Sequence, residues 1–303
     1  MPRAASGEGV LALDLGTSSV RAVVYDTRGA MREKTLTDLP YKVRTTDAGE
    51  VSSDPDALVK LIAQSIDGAL KAARKEKVAI LGVGVSCYWH SLMGVGRTGR
   101  PTTELLTWAD TRSAAEIGRM RSRFDERAYH ARTGCFFHAS YWPAKLRWLR
   151  ATRRAAVRRT VRWISLGEYL YQELHGETRV SHSIASGTGL LDVNRCQWDA
   201  AALRLAGITP AQLSPLSDWD QPARSLRPIF VTRWPELRDA RDQRLSGFGG
   251  DRLQLRRRRF RPHQGRHADP AIAPDRHAGH RRPAALRLCP AGAARGRLSR
   301  EHK

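Results

Sequence analysis

Cysteine is scarce in this chain. The four cysteines, at 87, 135, 196 and 289, form no CxxC pair, so neither a zinc knuckle nor a disulfide framework fits their spacing. A reduced, cytoplasmic setting is the natural expectation. Long apolar runs are absent too, and nothing approaches the roughly 18 residues of a membrane span. The opening MPRAASGEG lacks the apolar segment of a secretory signal. Acidic residues are few, 30 Asp and Glu against 52 Lys and Arg, for a net charge of +22. That balance excludes an acidic disordered chain. It does not by itself imply nucleic acid, because the placement of charge matters more than its sum. What the chain does have is 303 residues with 41% hydrophobic content, enough for a substantial core in one large domain or two smaller ones.

The shortage of acid is uneven. Residues 241–303 hold 16 Arg and 1 Lys against 4 Asp and 1 Glu, or +12 in 63 residues, and residues 1–240 carry the other +10. The same stretch lacks Val, Tyr, Trp, Met and Asn, has Ile272 as its single isoleucine, and contains the run Arg256-Arg257-Arg258-Arg259. No apolar period of 2 or 3.6 survives there. Such a segment buries too little surface to offset its ordering entropy. The expected organisation is a flexible N-terminus at 1–8, a folded domain at 9–238, and an Arg-rich, disordered tail at 239–303.

The foldable part alternates α and β. Val10-Leu11-Ala12-Leu13-Asp14-Leu15 reads as a strand, Gly16-Thr17-Ser18-Ser19 as a tight polar turn, and Val20 to Asp26 as the returning strand. Residues 31–39 and 41–45 are expected to continue an antiparallel meander. A helix follows, capped by Ser53 or Asp54, with Pro55 in its first turn and Leu58, Ile62, Ile66 and Leu70 as its apolar stripe. Residues 78–86 read as a buried strand. Further helices are expected near 113–126, 143–158 and 166–174.

Four segments can carry chemistry. In Asp14-Leu15-Gly16-Thr17-Ser18-Ser19 a carboxylate at a strand end meets a loop of Gly and hydroxyl residues. Gly lets a ligand approach the backbone, loop N–H groups and hydroxyls can hold phosphate oxygens, and Asp14 can hold Mg²⁺ through water. A plain hairpin turn with a capping Asp would read the same. Ser86-Cys87-Tyr88-Trp89-His90-Ser91-Leu92 follows an apolar strand. A Trp stacks on sugar faces and a His bonds to hydroxyls, although a packed aromatic turn is equally consistent. In Thr107-Trp108-Ala109-Asp110-Thr111-Arg112-Ser113, Asp110 can accept from substrate hydroxyls. Arg112 can pair with it or with an anionic substrate group, and Asp110 or Ser113 can also cap a helix. Thr133-Gly134-Cys135 and Tyr141-Trp142-Pro143-Ala144-Lys145-Leu146-Arg147-Trp148 lead into a helix. Cys135 has no base indicated beside it, and the arginines at 147, 150, 153, 154, 158, 159 and 162 read as a solvated face rather than a nucleic-acid patch.

Together these segments carry a resemblance. VLALDLGTSSVRAVVYD resembles the phosphate-binding opening of the FGGY carbohydrate kinases. GVGVSCYWHSLMGV and GRPTTELLTWADTRSAAE resemble that family's next two landmarks. TGC with YWPAKLRWL, then WISLGEYLYQELHGE, then SIASGTGLLDVNRCQWD follow in order. Six matches stand in register over 9–200, and the cover extends to about residue 238. The wording around Trp89-His90 and Thr107–Asp110 is most like gluconate kinases, then xylulose kinases. The resemblance implies an α/β, actin- and hexokinase-like (ribonuclease H-like) N-terminal domain of a sugar kinase. It implies ATP and Mg²⁺ as cofactors and a small sugar, sugar acid or polyol as substrate, with a gluconate-like one favoured. Asp14, Gly16, Thr17 and Ser18 would match the phosphate and Mg²⁺ loop, with Asp14 holding the metal through water. Trp89, His90, Asp110 and Arg112 would match the substrate side.

The chain also departs from that family. The family's catalytic aspartate opens a second domain, and here family-like text stops near Trp234–Asp239. Gly249-Gly250-Asp251 follows, but Arg252-Leu253-Gln254-Leu255 and four arginines come next, with no strand pattern to support Asp251 as a base. The catalytic residue is therefore unassigned and the second domain is expected to be missing. A frame shift in a GC-rich gene would produce such Arg-, Ala-, Pro- and Gly-rich text. Two other readings stand beside the kinase. One is a polyanion- or nucleic-acid-binding protein acting through the tail, for which the +12 and the tetra-arginine speak, and against which stand only two aromatics, Phe248 and Phe260. The other is a stranded half-kinase with its cleft face open to water.

Overall fold

The computed structural model describes residues 7–217, 223, 225–238 and 240 in full, and 243–247 through their backbone. The chain divides into two compact units, Met1–Asp251 and Arg252–Lys303. The second unit lies outside the described residues, and with it the disorder expected of the tail.

The first unit is built on a twisted mixed sheet. Its strands are β1 (Gly7–Leu15), β2 (Ser19–Asp26), β3 (Thr37–Pro40) and, after two short strands β4 (Arg44–Thr45) and β5 (Val51–Ser53), the long β6 (Val78–Cys87). β1 pairs antiparallel with β2 and parallel with β6, and β2 pairs antiparallel with β3. Alternation along β1 explains its place. Leu11, Leu13 and Leu15 are 0–2% exposed on one face, while Val10, Ala12 and Asp14 turn to the other. Helix α1 (Pro55–Lys75) packs on the leucine face through Leu58, Ile62, Ile66 and Leu70, all in one core with Val83 and Val85 of β6. Asp54 is its cap, with its carboxylate accepting from the N–H groups of Asp56 and Ala57 at 2.9 and 3.2 Å. A second core gathers Trp142, Trp163, Tyr129, Leu146 and Leu190 around the helices that follow.

Several expected elements are cut differently. β1 begins at Gly7, three residues earlier than expected, because Gly7 pairs with Val78. The meander continues into β3 only after an interruption. Residues 33–35 form a 3-10 turn, and the Thr35 hydroxyl takes the Val24 N–H at 2.9 Å in place of a strand partner. β4 leaves the main sheet and pairs with β5, which also pairs with Leu105–Leu106. The helix expected over 113–126 is two, α2 (Ala114–Arg121) and α3 (Glu126–Thr133), because Asp125 takes the Ala128 N–H and starts a new one. The helix expected over 143–158 divides at Arg153 into α4 (Trp142–Thr152) and α5 (Arg154–Arg159). The next helix, α6 (Leu166–His175), falls where the pattern puts it. Beyond residue 238, Gln243–Gly247 pairs parallel with β6 as the outermost strand. No side-chain period announces that strand. An open strand edge offers its own row of N–H and C=O groups, and backbone pairing needs no apolar alternation.

Candidate functional site

β1 and β6 run parallel and end side by side, Leu15 in register with Cys87. The Tyr88 N–H donates to the Leu15 carbonyl at 3.2 Å, so the loop after β1 and the segment after β6 leave the sheet together. The carboxyl ends of parallel strands are where open α/β sheets place their ligands. Asp14 stands one residue before the end of β1, opposite Arg21 of β2. One carboxylate oxygen, Oδ2, lies 3.4 Å from Arg21 Nη1, and Arg21 also pairs with Asp38 at 3.1 Å. The other, Oδ1, is buried with no hydrogen-bond partner. Gly16 turns the loop, its N–H donating to the Ser19 carbonyl at 3.0 Å, and a Cβ there would lie 2.9 Å from that same oxygen. Ser18 is exposed, and the hydroxyls of Thr17 and Ser18 and the Thr17 N–H have no partner among the described residues.

This donor set fits the group the resemblance calls for. A buried carboxylate oxygen without a partner is costly unless a cation or its water takes it. Two hydroxyls and a loop N–H beside it suit phosphate oxygens. Asp14 would hold Mg²⁺ through water, and Gly16, Thr17 and Ser18 would hold the phosphate.

The segment after β6 supplies an aromatic face. Trp89 is half-buried, its Nε1 has no partner, and its ring lies so close to Gly187 that a Cβ there would approach it to 3.0 Å. His90 sits at φ +65°, a left-handed conformation rare outside glycine. Its Nδ1 bonds to the Gly187 carbonyl. A carbonyl only accepts, so Nδ1 carries the proton and Nε2 keeps a free lone pair. Burial, helped by the nearby Lys145 charge, lowers the His90 pKa, and the Gly187 bond opposes this. Tyr141 meets the ring edge-on, centroids 4.8 Å apart.

Asp110 and Arg112 are turned to each other. Asp110 is 1% exposed and accepts the Val51 N–H at 3.2 Å, the Arg112 N–H at 3.1 Å and Arg112 Nη2 at 2.6 Å. The guanidinium also reaches Glu50 at 3.6 Å and stacks over Trp148 at 4.6 Å. Of the two partners open to Arg112 by sequence, it meets Asp110 here. The pair ties the strand β5 to the segment that ends in Asp110.

Lys145 escaped the sequence analysis as a site residue. It is fully buried, and its Nζ donates to the His90 carbonyl at 2.8 Å and the Thr107 carbonyl at 2.7 Å. Burial pulls its pKa down to about 7, with Asp110 opposing and Arg112 assisting. A signal was present. Trp142, Lys145, Leu146 and Leu149 follow the i, i+3, i+4, i+7 pattern of a core stripe, so a lysine stands where an apolar residue belongs. Gly187 and Tyr141 carried no such signal, because only folding brings them to His90. The loop of Asp14, Gly16, Thr17 and Ser18 thus adjoins Trp89 and His90 through the Leu15–Tyr88 bond, and Lys145 ties His90 to the segment of Asp110. Trp108 is 48% exposed on that segment, its carbonyl accepting from Ser140 Oγ at 2.7 Å. Cys135 is buried, and burial pushes its thiol up to about 11, the opposite of an activated nucleophile.

Here a parallel strand pair ends in a carboxylate, a loop of hydroxyl residues and the rings of Trp89 and His90. The comparisons give it a family. The N-terminal domain of the FGGY family of carbohydrate kinases matches residues 9–234, and the chain belongs to that family. Among its relatives, the gluconokinase of Bacillus subtilis (strain 168) is 27% identical over 207 residues, covering 68% of this chain and 40% of its own. The glycerol kinase of Polaromonas naphthalenivorans (strain CJ2) is 31% identical over 223 residues, covering 68% and 42%. In fold, the crystal structure of gluconate kinase from Lactobacillus acidophilus superimposes with a TM-score of 0.72 at 22% identity, over 80% of this chain and 48% of that one. The chain spans less than half the length of each of these proteins.

Proposed function

We propose that this chain is the loop-and-platform half of an ATP-dependent kinase acting on a hydroxyl of a sugar, sugar acid or polyol, with a gluconate-like substrate favoured. The observation that carries the reading is the unpartnered, buried Asp14 Oδ1 at the mouth of the Gly16–Ser18 loop, beside Trp89 and His90. Trp89 offers a ring face to the carbon skeleton of the substrate. His90, neutral and protonated on Nδ1, offers Nε2 to accept from a hydroxyl. Lys145 holds the His90 and Thr107 carbonyls on either side. The Asp110–Arg112 pair acts from beneath, closing β5 onto the same segment. Mg²⁺ bound with ATP would neutralise phosphate charge during transfer. The base that takes the hydroxyl proton belongs, by the resemblance, to a second domain of the whole kinase.

Calorimetric titration tests this reading, using Mg-ATP and, separately, D-gluconate, D-xylulose and glycerol. The chain is expected to bind Mg-ATP and to prefer gluconate. Asp14→Asn should weaken Mg-ATP at least about tenfold, the value of one lost charge-assisted contact, and leave gluconate binding unchanged. Equal Mg-ATP affinity in both proteins would remove Asp14 from the phosphate site.

A further inference from the structure

Two bonds reach the Gly16–Ser18 loop from one residue outside it. The Tyr41 hydroxyl donates to the Gly16 carbonyl at 2.7 Å, and the Tyr41 N–H donates to the Ser18 carbonyl at 2.9 Å. Tyr41 follows β3 directly, and β3 is paired with β2 so that Pro40 stands opposite Ser19. Its ring packs against the main core, into which Tyr88 from the end of β6 also packs. Burial raises the hydroxyl's pKa to about 12, so it stays a donor at any working pH. The described residues contain no cis peptide. In a trans peptide the C=O and N–H point opposite ways. A Gly16 carbonyl held toward Tyr41 therefore aims the Thr17 N–H away from Tyr41, and that N–H has no partner among the described residues. Gly16 has no side chain to fix its own ψ, so the orientation of this peptide must be set from outside.

We propose that Tyr41 is a positioning residue for the phosphate loop: its hydroxyl, by holding the Gly16 carbonyl, turns the Gly16–Thr17 peptide so that the Thr17 N–H is presented to an anion. The inference rests on the reading of that loop as a phosphate site, and it assigns a role outside the loop's own residues. The contacts of Tyr41 to the loop are to the Gly16 and Ser18 carbonyls. It acts through one peptide plane, so its removal should affect phosphate binding and spare the sugar side.

Tyr41→Phe removes the hydroxyl and keeps the ring. Four measurements are made on the full chain: the amide NMR signal of Thr17, hydrogen exchange at that amide, and calorimetric affinities for Mg-ATP and D-gluconate. In the unchanged protein the Thr17 amide should exchange quickly and become protected when inorganic triphosphate and Mg²⁺ are added. Protection already present in the free chain would overturn the proposal, because the N–H would then have a partner. In Tyr41→Phe the Thr17 amide signal should shift and lose order, Mg-ATP affinity should fall about tenfold, and gluconate affinity should stay the same. Unchanged Mg-ATP affinity in the variant, with normal binding in the parent, would sink the proposal. Should the parent bind no nucleotide, the functional reading fails, and the Thr17 signal decides the brace alone. A shift in Tyr41→Phe upholds it and an unmoved signal ends it.

Discussion

Lys145 shows what burial does to one side chain. It is fully enclosed, yet two backbone carbonyls accept hydrogen bonds from its ammonium. The carbonyls satisfy its donors without neutralising its charge, and so its pKa falls from 10.5 to about 7. The sign follows from proton binding. Between pH about 7 and 10 the unfolded chain holds a proton at this lysine that the folded chain has released. Stability supplied by the group therefore rises with pH across that window and is lost as pH falls through 7. Urea unfolding at pH 6.5, 8 and 9.5 should show the parent gaining up to about 1 kcal/mol per pH unit relative to Lys145→Met. A constant difference between the two proteins would mean that Lys145 keeps its charge throughout. The charged groups facing it are Asp110 and Arg112, with His90 across the shared carbonyl. The lysine itself was legible as an oddity in an apolar stripe. Its partners were not, since His90 and Thr107 are 55 and 38 residues away in the chain.

At the scale of elements, local signals worked where one element supplies both ends of an interaction. Asp54 caps α1 through N–H groups two and three residues on, and that arrangement is written in Asp54-Pro55. Asp54→Ala should lower stability by about 1 kcal/mol, read from the thermal midpoint, with the site's ligand affinities untouched. Signals failed where a competing interaction came from elsewhere. The run after β2 had strand composition, and Thr37–Pro40 does join the sheet, but at 33–35 a 3-10 turn intervenes and the Thr35 hydroxyl takes the Val24 N–H. The stretch 113–126 had helical composition, but Asp125 offered a second cap and restarted the helix. Gln243–Gly247 had no pattern at all, yet β6 had an edge to fill.

At the scale of the molecule, the sheet buries one face under α1 and leaves apolar residues open on the other. Val10 is 41% exposed, Tyr25 37% and Leu81 41%. Val10 and Tyr25 are cross-strand partners, and Leu81 is the extra residue of a bulge, since Gly9 pairs with Ile80 and Val10 with Gly82. Exposed apolar surface on a sheet favours association. Leu81→Glu should reduce self-association in sedimentation velocity and lower the binding of a hydrophobic dye, with little change in thermal midpoint. Undiminished association would locate the sticky surface elsewhere.

The sequence by itself determined the strand–loop–strand around Asp14, the capped helix α1, the buried strand β6, and the membership in a kinase family that six ordered segments imply. Each of these is written in residues close together in the chain, where spacing and pattern report directly on structure. The tertiary structure alone decided which carboxylate oxygen is left without a partner, that His90 Nδ1 donates a hydrogen bond to a carbonyl 97 residues away, and that Tyr41 reaches back to the Gly16–Ser18 loop. Those outcomes depend on burial and on distances between segments far apart in sequence. Packing sets both, and no local pattern encodes either.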